Sequence, residues 1–182
     1  LVYDNKVYTE RPVEFNIWRA PTDNDRYLRA EWEAAGYDRS VIKVEDVSME
    51  HSGGKVEISC RLMVTAVSIQ RILDIDAKWV VDPEGEINCR FVCRRDPQLP
   101  MLTRLGLRLF LPETLENVEY HGYGPYESYM DKHQASWLDT FYDNVERMHE
   151  DYIRPQENGS HWNCEYVKLT DRNGDGIFAF AP

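Results

Sequence analysis

The chain has 182 residues, 42% of them hydrophobic and 12% aromatic, with a formal net charge of −11. That hydrophobic share excludes a disordered chain, no apolar run reaches the ~20 residues of a membrane helix, and the shortage of Lys and Arg argues against phosphate backbones and anionic membranes as partners. The length allows one good core, so one soluble globular domain spanning 1–182 is expected, and no linker, repeat or low-complexity tract marks a boundary.

The first unusual stretch is "FNIWRAPTDNDR", Phe15 to Arg26. Trp18 and Arg19 precede a proline bend, after which Asp23, Asn24 and Asp25 crowd three oxygen-bearing side chains into a turn. Two readings stand: a capped turn in which Asp25 starts a helix, or a polar cluster that pairs Arg19 with a carboxylate and offers oxygens to a polyol or cation. "YLRAEWEAAGY" follows with Leu28, Trp32 and Ala35 at helical spacing and Gly36 where a left-handed residue ends a helix, so one short helix is expected near residues 27–36.

Period-two alternation then takes over. "KVEISCRLMV" puts Val56, Ile58, Cys60, Leu62 and Val64 on one face, and "RILDIDAKWVV" aligns Leu73, Ile75, Ala77 and Trp79. "DPEG" at Asp82 to Gly85 is a proline-led turn, and "EINCRFVCR" resumes with Ile87, Cys89, Phe91 and Cys93, giving an antiparallel hairpin. "RLGLRLFL" repeats the pattern with Leu105, Leu107, Leu109 and Leu111, and "TLENVEYHG" is a shorter strand after Pro112. Antiparallel strands without βαβ alternation indicate an all-β sandwich. Cys60, Cys89, Cys93 and Cys164 form no CxxC pair and have no zinc-like histidine spacing, so they read as small buried hydrophobes.

"HGYGPYESYMDKH", His121 to His133, interrupts the strands with glycines, a proline, Tyr123, Tyr126 and Tyr129, and the acids Glu127 and Asp131. "YIRPQENGSHW", Tyr152 to Trp162, places Gln156, Glu157 and Asn158 between a proline and a glycine. Aromatic rings beside carboxylates and amides suit a sugar, whose C–H faces stack on rings while its hydroxyls take polar partners; the same rings also serve a loop packed on a sheet. Glu127 and Glu157 would be the carboxyl pair of a glycosidase, were this segment one, and His121 with Glu127 the pair of an epimerase. The remaining histidines, His51, His133, His149 and His161, have neither ligand nor triad spacing. "DRNGDG", Asp171 to Gly176, matches the first half of a calcium loop, but its twelfth position falls on Pro182, so a hairpin turn is expected.

Taken in order, "WRAPTDND" (18–25), "GYGPYESYMDK" (122–132) and "YIRPQENG" (152–159) resemble the C-terminal, small-chain domain of the large bacterial β-galactosidases of glycoside hydrolase family 2. The resemblance runs from about Val13 to the end. It implies an antiparallel supersandwich of the galactose-mutarotase-like kind, in a segment of a longer bacterial chain that continues past residue 182. It also implies that the catalytic glutamates lie in a separate barrel, that this segment holds no cofactor, and that Mg2+ and Na+ belong to the parent. The implied partners are the parent's other domains, its galactoside substrate and further copies in a homo-oligomer, in the cytoplasm or periplasm. The sugar-binding or domain-interface candidates are then Trp18, Arg19, Asp23, Asn24, Asp25, Tyr123, Glu127, Tyr129, Asp131, Gln156, Glu157 and Asn158. A free-standing galactoside-binding module is the alternative. Two departures stand out: Lys132 where an arginine is usual, and Ser160-His161-Trp162 where an arginine follows the glycine. Lysine keeps the charge and loses the planar fork.

Overall fold

A computed structural model describes residues 1–181. In chain order the elements are β1 Val2–Tyr3, β2 Lys6–Val7, β3 Glu14–Asn16, α1 Arg29–Ala34, β4 Val41–Ser52, β5 Lys55–Ala66, β6 Ile69–Val81, β7 Ile87–Arg95, β8 Gly106–Arg108, β9 Asn117–Gly124, β10 Trp137–Asn144, β11 Tyr166–Thr170 and β12 Gly176–Phe180. Every pairing with a described register is antiparallel, so the fold is all-β as the alternation predicts. The residues gather into two compact units, Leu1–Glu14 with Ala20–Asp23 and Leu109–Pro182, and Phe15–Arg19 with Asn24–Arg108.

The second of these is a meander, β4-β5-β6-β7, with α1 and its flanks packed on one face. Of the predicted inward residues of β5 and β6, Val64, Leu73, Ile75 and Ala77 are buried and Val56, Ile58, Cys60, Leu62 and Trp79 are half-buried; Ile17, Trp32, Ala35 and Tyr37 join the buried set. Each large aliphatic side chain withdrawn from water here contributes about 1.5–3 kcal/mol before the entropy of ordering is charged against it. The Tyr37 ring is fully buried, and its hydroxyl donates to the Pro100 carbonyl at 2.6 Å. The helix is shorter than its spacing implies because Asp23–Tyr27 winds as a 3-10 turn; Gly36, at φ 76°, ends it as expected.

Strand β4 has no precedent in the alternation. Its register shifts between Val44 and Asp46, so Ile42 and Val44 share a face with Val47 and Met49 although the parity of their numbers changes. The "RLGLRLFL" run yields only the three residues of β8, whose ladder partner β3 is itself three residues long. Cys89 is exposed rather than buried, while Cys60 and Cys93 pack against the core.

The other unit carries the sheet β10-β9-β11-β12. Leu115, Val118 and Tyr120 are its buried apolar residues. β9 runs on to Gly124, so the first four residues of the tyrosine-rich stretch are strand rather than loop. A side chain at Gly124 would have its Cβ 2.2 Å from the Tyr120 hydroxyl and 2.7 Å from the Phe141 ring. The "DRNGDG" stretch is the β11–β12 turn: Asp171 Oδ1 accepts from the amides of Asn173 and Asp175 at 2.9 and 3.0 Å, and Gly174 takes φ 87°. The calcium-loop twelfth position, Pro182, lies outside the described residues. No helix among the described residues is long and apolar enough to cross a membrane.

Candidate functional site

Two of the three sequence stretches meet in the unit that holds β9–β12. Gly124–Pro125 is a cis peptide at the end of β9, and it sends the chain into a loop that carries Glu127 and Ser128 inward. Glu127 is buried, and its side chain is only 4% exposed. Its Oε1 accepts from Lys132 Nζ at 2.6 Å and from the Tyr152 hydroxyl; its Oε2 accepts from the Gly159 amide at 3.1 Å and the Tyr129 hydroxyl at 3.3 Å. Four donors therefore fill the four lone-pair positions of one carboxylate. Tyr152 and Gly159 belong to the third stretch, so this carboxylate binds the two loops together.

Ser128, fully buried, adds three ties. Its amide donates to the Ser160 carbonyl at 2.7 Å, its hydroxyl donates to the Tyr123 carbonyl at 3.0 Å, and it accepts from the Trp162 amide at 2.9 Å. Above these sits a ring cluster: His133 stacks on Trp162 at 4.3 Å, and Tyr123 lies 5.1 Å from Trp162 and 5.3 Å from His133. His133 Nδ1 donates to the Tyr129 carbonyl at 2.9 Å, which fixes its ring.

The electrostatics follow from this packing. Burial, reinforced by the neighbouring Glu127 charge, pushes the Tyr129 hydroxyl up to about 12, and burial alone is the main cause of a similar value, about 12, at Tyr120. His161 rests on the Tyr120 ring at 4.3 Å and donates from Nδ1 to the Tyr123 carbonyl at 3.3 Å. Burial lowers its pKa below the ordinary histidine value, against the opposing pull of that carbonyl and of the Glu127 and Asp143 charges.

At the lysine departure, Lys132 donates to Glu127 Oε1 and to the Tyr152 hydroxyl, at 2.6 and 2.8 Å, while Oε2 is held by Tyr129 and Gly159. His161 and Trp162, in place of the expected arginine, supply the ring contacts just described.

The other candidates are more scattered. Tyr126 and Asp131 are exposed, so the tyrosines of the loop do not share one role. Asn158 donates to the Glu150 carbonyl at 3.1 Å, the half-buried Glu157 donates its amide to the Ala20 carbonyl at 3.3 Å, and Gln156 is half-buried. Asp23 is exposed and lies 3.5 Å from Arg154. In the unit built on β4–β7, Arg19 pairs with the buried Asp25 at 2.8 Å, the Trp18 ring meets Trp32 edge-on at 6.5 Å, and Asn24 is exposed. No side chain caps α1, so Asp25 does not cap that helix; its carboxylate pairs with Arg19.

No three His, Cys, Asp or Glu side chains among the described residues gather closely enough to hold a metal ion. In the loop that most resembles a cation site, Lys6 Nζ lies 2.6 Å from Asp171 and 3.0 Å from Asp175, taking the place of a cation with a tethered ammonium. Sequence reasoning named Glu127 and missed its neighbours Ser128, Lys132 and Tyr152 as structural partners. Each lies inside a quoted stretch, but their roles depend on pairings 5 to 34 residues apart.

A family model described as Beta galactosidase small chain matches residues 1–181. The beta-galactosidase of Actinobacillus pleuropneumoniae is 41% identical over 163 residues, which are 90% of this chain and 16% of that protein. Those of Staphylococcus xylosus and Lactobacillus delbrueckii subsp. bulgaricus are 35% and 33% identical, over 92% and 96% of this chain and 17% of each relative. The chain thus spans about a sixth of the length of these curated relatives.

Proposed function

Because the chain belongs to the beta-galactosidase small-chain family, we propose that it is a supporting, non-catalytic segment of a longer enzyme of glycoside hydrolase family 2 that hydrolyses terminal β-D-galactosides. In this reading it takes the galactose-mutarotase-like supersandwich form, buttresses the catalytic barrel and helps shape the sugar pocket from its motif loops. The parent's other domains are its partners, and Mg2+ and Na+ act in the parent, outside this segment. The observation that carries the non-catalytic role is the saturation of Glu127. A glycosidase acid or nucleophile needs a free oxygen facing the glycosidic bond, and both oxygens of Glu127 are taken by Lys132, Tyr152, Tyr129 and Gly159.

The test compares the chain alone with a longer polypeptide that includes the rest of a relative's length. A nitrophenyl galactoside is turned over only by the longer protein. Turnover by the chain alone that disappears in Glu127→Gln would overturn the proposal. The half-buried ring cluster of Tyr123, His133 and Trp162 favours the second reading, a free-standing galactoside-binding module. Saturable calorimetric binding of galactose or lactose by the chain, lost in Tyr129→Ala or Trp18→Ala, would decide for that module.

A further inference from the structure

The sheet β4–β7 has two faces of opposite chemistry. On the core side, Met49, Ile58, Trp79 and Cys89 face one another in register across all four strands, without one charge. One residue along, on the opposite side, the equivalent row is Ser48, Ser59, Lys78 and Arg90. Alternation of this kind is how a sequence marks a face for burial. Yet the core thins out along this row, where Ile58 and Trp79 are half-buried and the two ends are exposed. Ile75 and Ala77 are 0% and 3% exposed, whereas Val44, Val47 and Met49 on the same face are 61%, 56% and 61% exposed, and Cys89 is exposed as well.

β4 is also an edge strand of 12 residues. Long apolar edges promote aggregation, and natural chains cover them, charge them or break them. Here the bulge at Val44/Asp46 keeps Val47 and Met49 on the apolar side instead of turning them away. The apolar face therefore runs out to the edge strand.

We propose that this face is covered by the remaining polypeptide of the longer β-galactosidase, packed on Val44, Val47, Met49, Ile58, Trp79 and Cys89 as an apolar layer. The proposal rests on the reading of the chain as part of that enzyme. The length of the relatives selects this occupant: more than four-fifths of each lies outside the matched region, since the chain covers 16% to 17% of them.

Cys89 provides the readout. In the folded full-length protein, peptide-resolved alkylation of Cys89 by iodoacetamide is expected to be roughly tenfold or more slower than in the urea-unfolded protein, at high and low protein concentration alike. A rate close to that of the unfolded protein, or protection that vanishes on dilution as a second copy would require, overturns the proposal. In the same full-length protein, Met49→Glu lowers Tm and Ser48→Glu, on the charged side, does not, because only the first buries an unpaired carboxylate. Equal shifts count against it. Galactoside hydrolysis is measured on the same sample. Activity with a freely reactive Cys89 overturns the surface and leaves the functional reading standing; a protected Cys89 in a protein without that activity does the reverse.

Discussion

Glu127 is where residue identity and position are hardest to separate. Replacing it by Gln keeps the shape but turns one acceptor oxygen into an amide nitrogen that faces hydroxyl, amide or ammonium donors. Glu127→Gln is expected to cost about 2–4 kcal/mol, because two donors lose their acceptor and the buried side chain loses the charge that Lys132 pairs with. Urea unfolding measures it, and a change below about 0.5 kcal/mol would mean that the loops are held together by Ser128 and the rings instead. His161 gives a pH dependence with a definite sign. Its folded pKa is depressed by burial, so as pH falls below about 6.5 the unfolded chain takes up a proton that the folded chain refuses, and stability drops until the folded pKa is passed. Above that window the contribution is fully present. His161→Phe should flatten the stability profile below about pH 6.5, read from urea midpoints at a series of falling pH values.

At the scale of elements, the glycines of the β9–β12 sheet divide by cause. A Cβ on Gly176 would lie 1.8 Å from the Leu169 carbonyl oxygen, within the ladder itself, whereas a Cβ on Gly174 would meet nothing within 4 Å and would suffer only its left-handed φ. Gly176→Ala should therefore cost about 2–4 kcal/mol and open the β11–β12 hairpin, while Gly174→Ala costs about 1 kcal/mol. Amide exchange at Lys168 and Leu169 distinguishes them. The Lys6 bridge to the same hairpin is exposed to solvent screening, so Lys6→Met should lower the urea midpoint only slightly, an effect that fades in molar salt. The sheet was legible wherever alternation survived, as at Val64, Leu73, Ile75 and Ala77. It was hidden in β4 because one extra residue at the bulge changes the parity of every position after it, and in β8 because a strand's length depends on a partner far along the chain. The loop tie was legible as a set of residue types, not as pairs: nothing local to Glu127 reveals that Tyr152 and Gly159 are its donors.

For the molecule as a whole, the two compact units differ in how their residues are spread along the chain. The β4–β7 unit is drawn almost wholly from Asn24–Arg108, while the other joins the first residues to the last. If the uncovered sheet face is completed by the longer enzyme, Val47→Ala should change the stability of the chain alone by less than about 0.5 kcal/mol and that of the full-length protein by about 1–2 kcal/mol, read by urea unfolding of both. Ile75→Ala, already buried, should cost about 2–5 kcal/mol in either context. The long reach of Lys6 has a consequence in time. Asp171, its partner, is 165 residues downstream, and a ribosome adding about 5–20 residues per second takes on the order of ten to thirty seconds to deliver it. During that interval Lys6 lacks the carboxylate it pairs with, while the β4–β7 meander, whose strands follow one another directly, can already close. The order of synthesis therefore makes the β1–β2 hairpin one of the last elements of this segment to be tied to its partner, the β11–β12 turn.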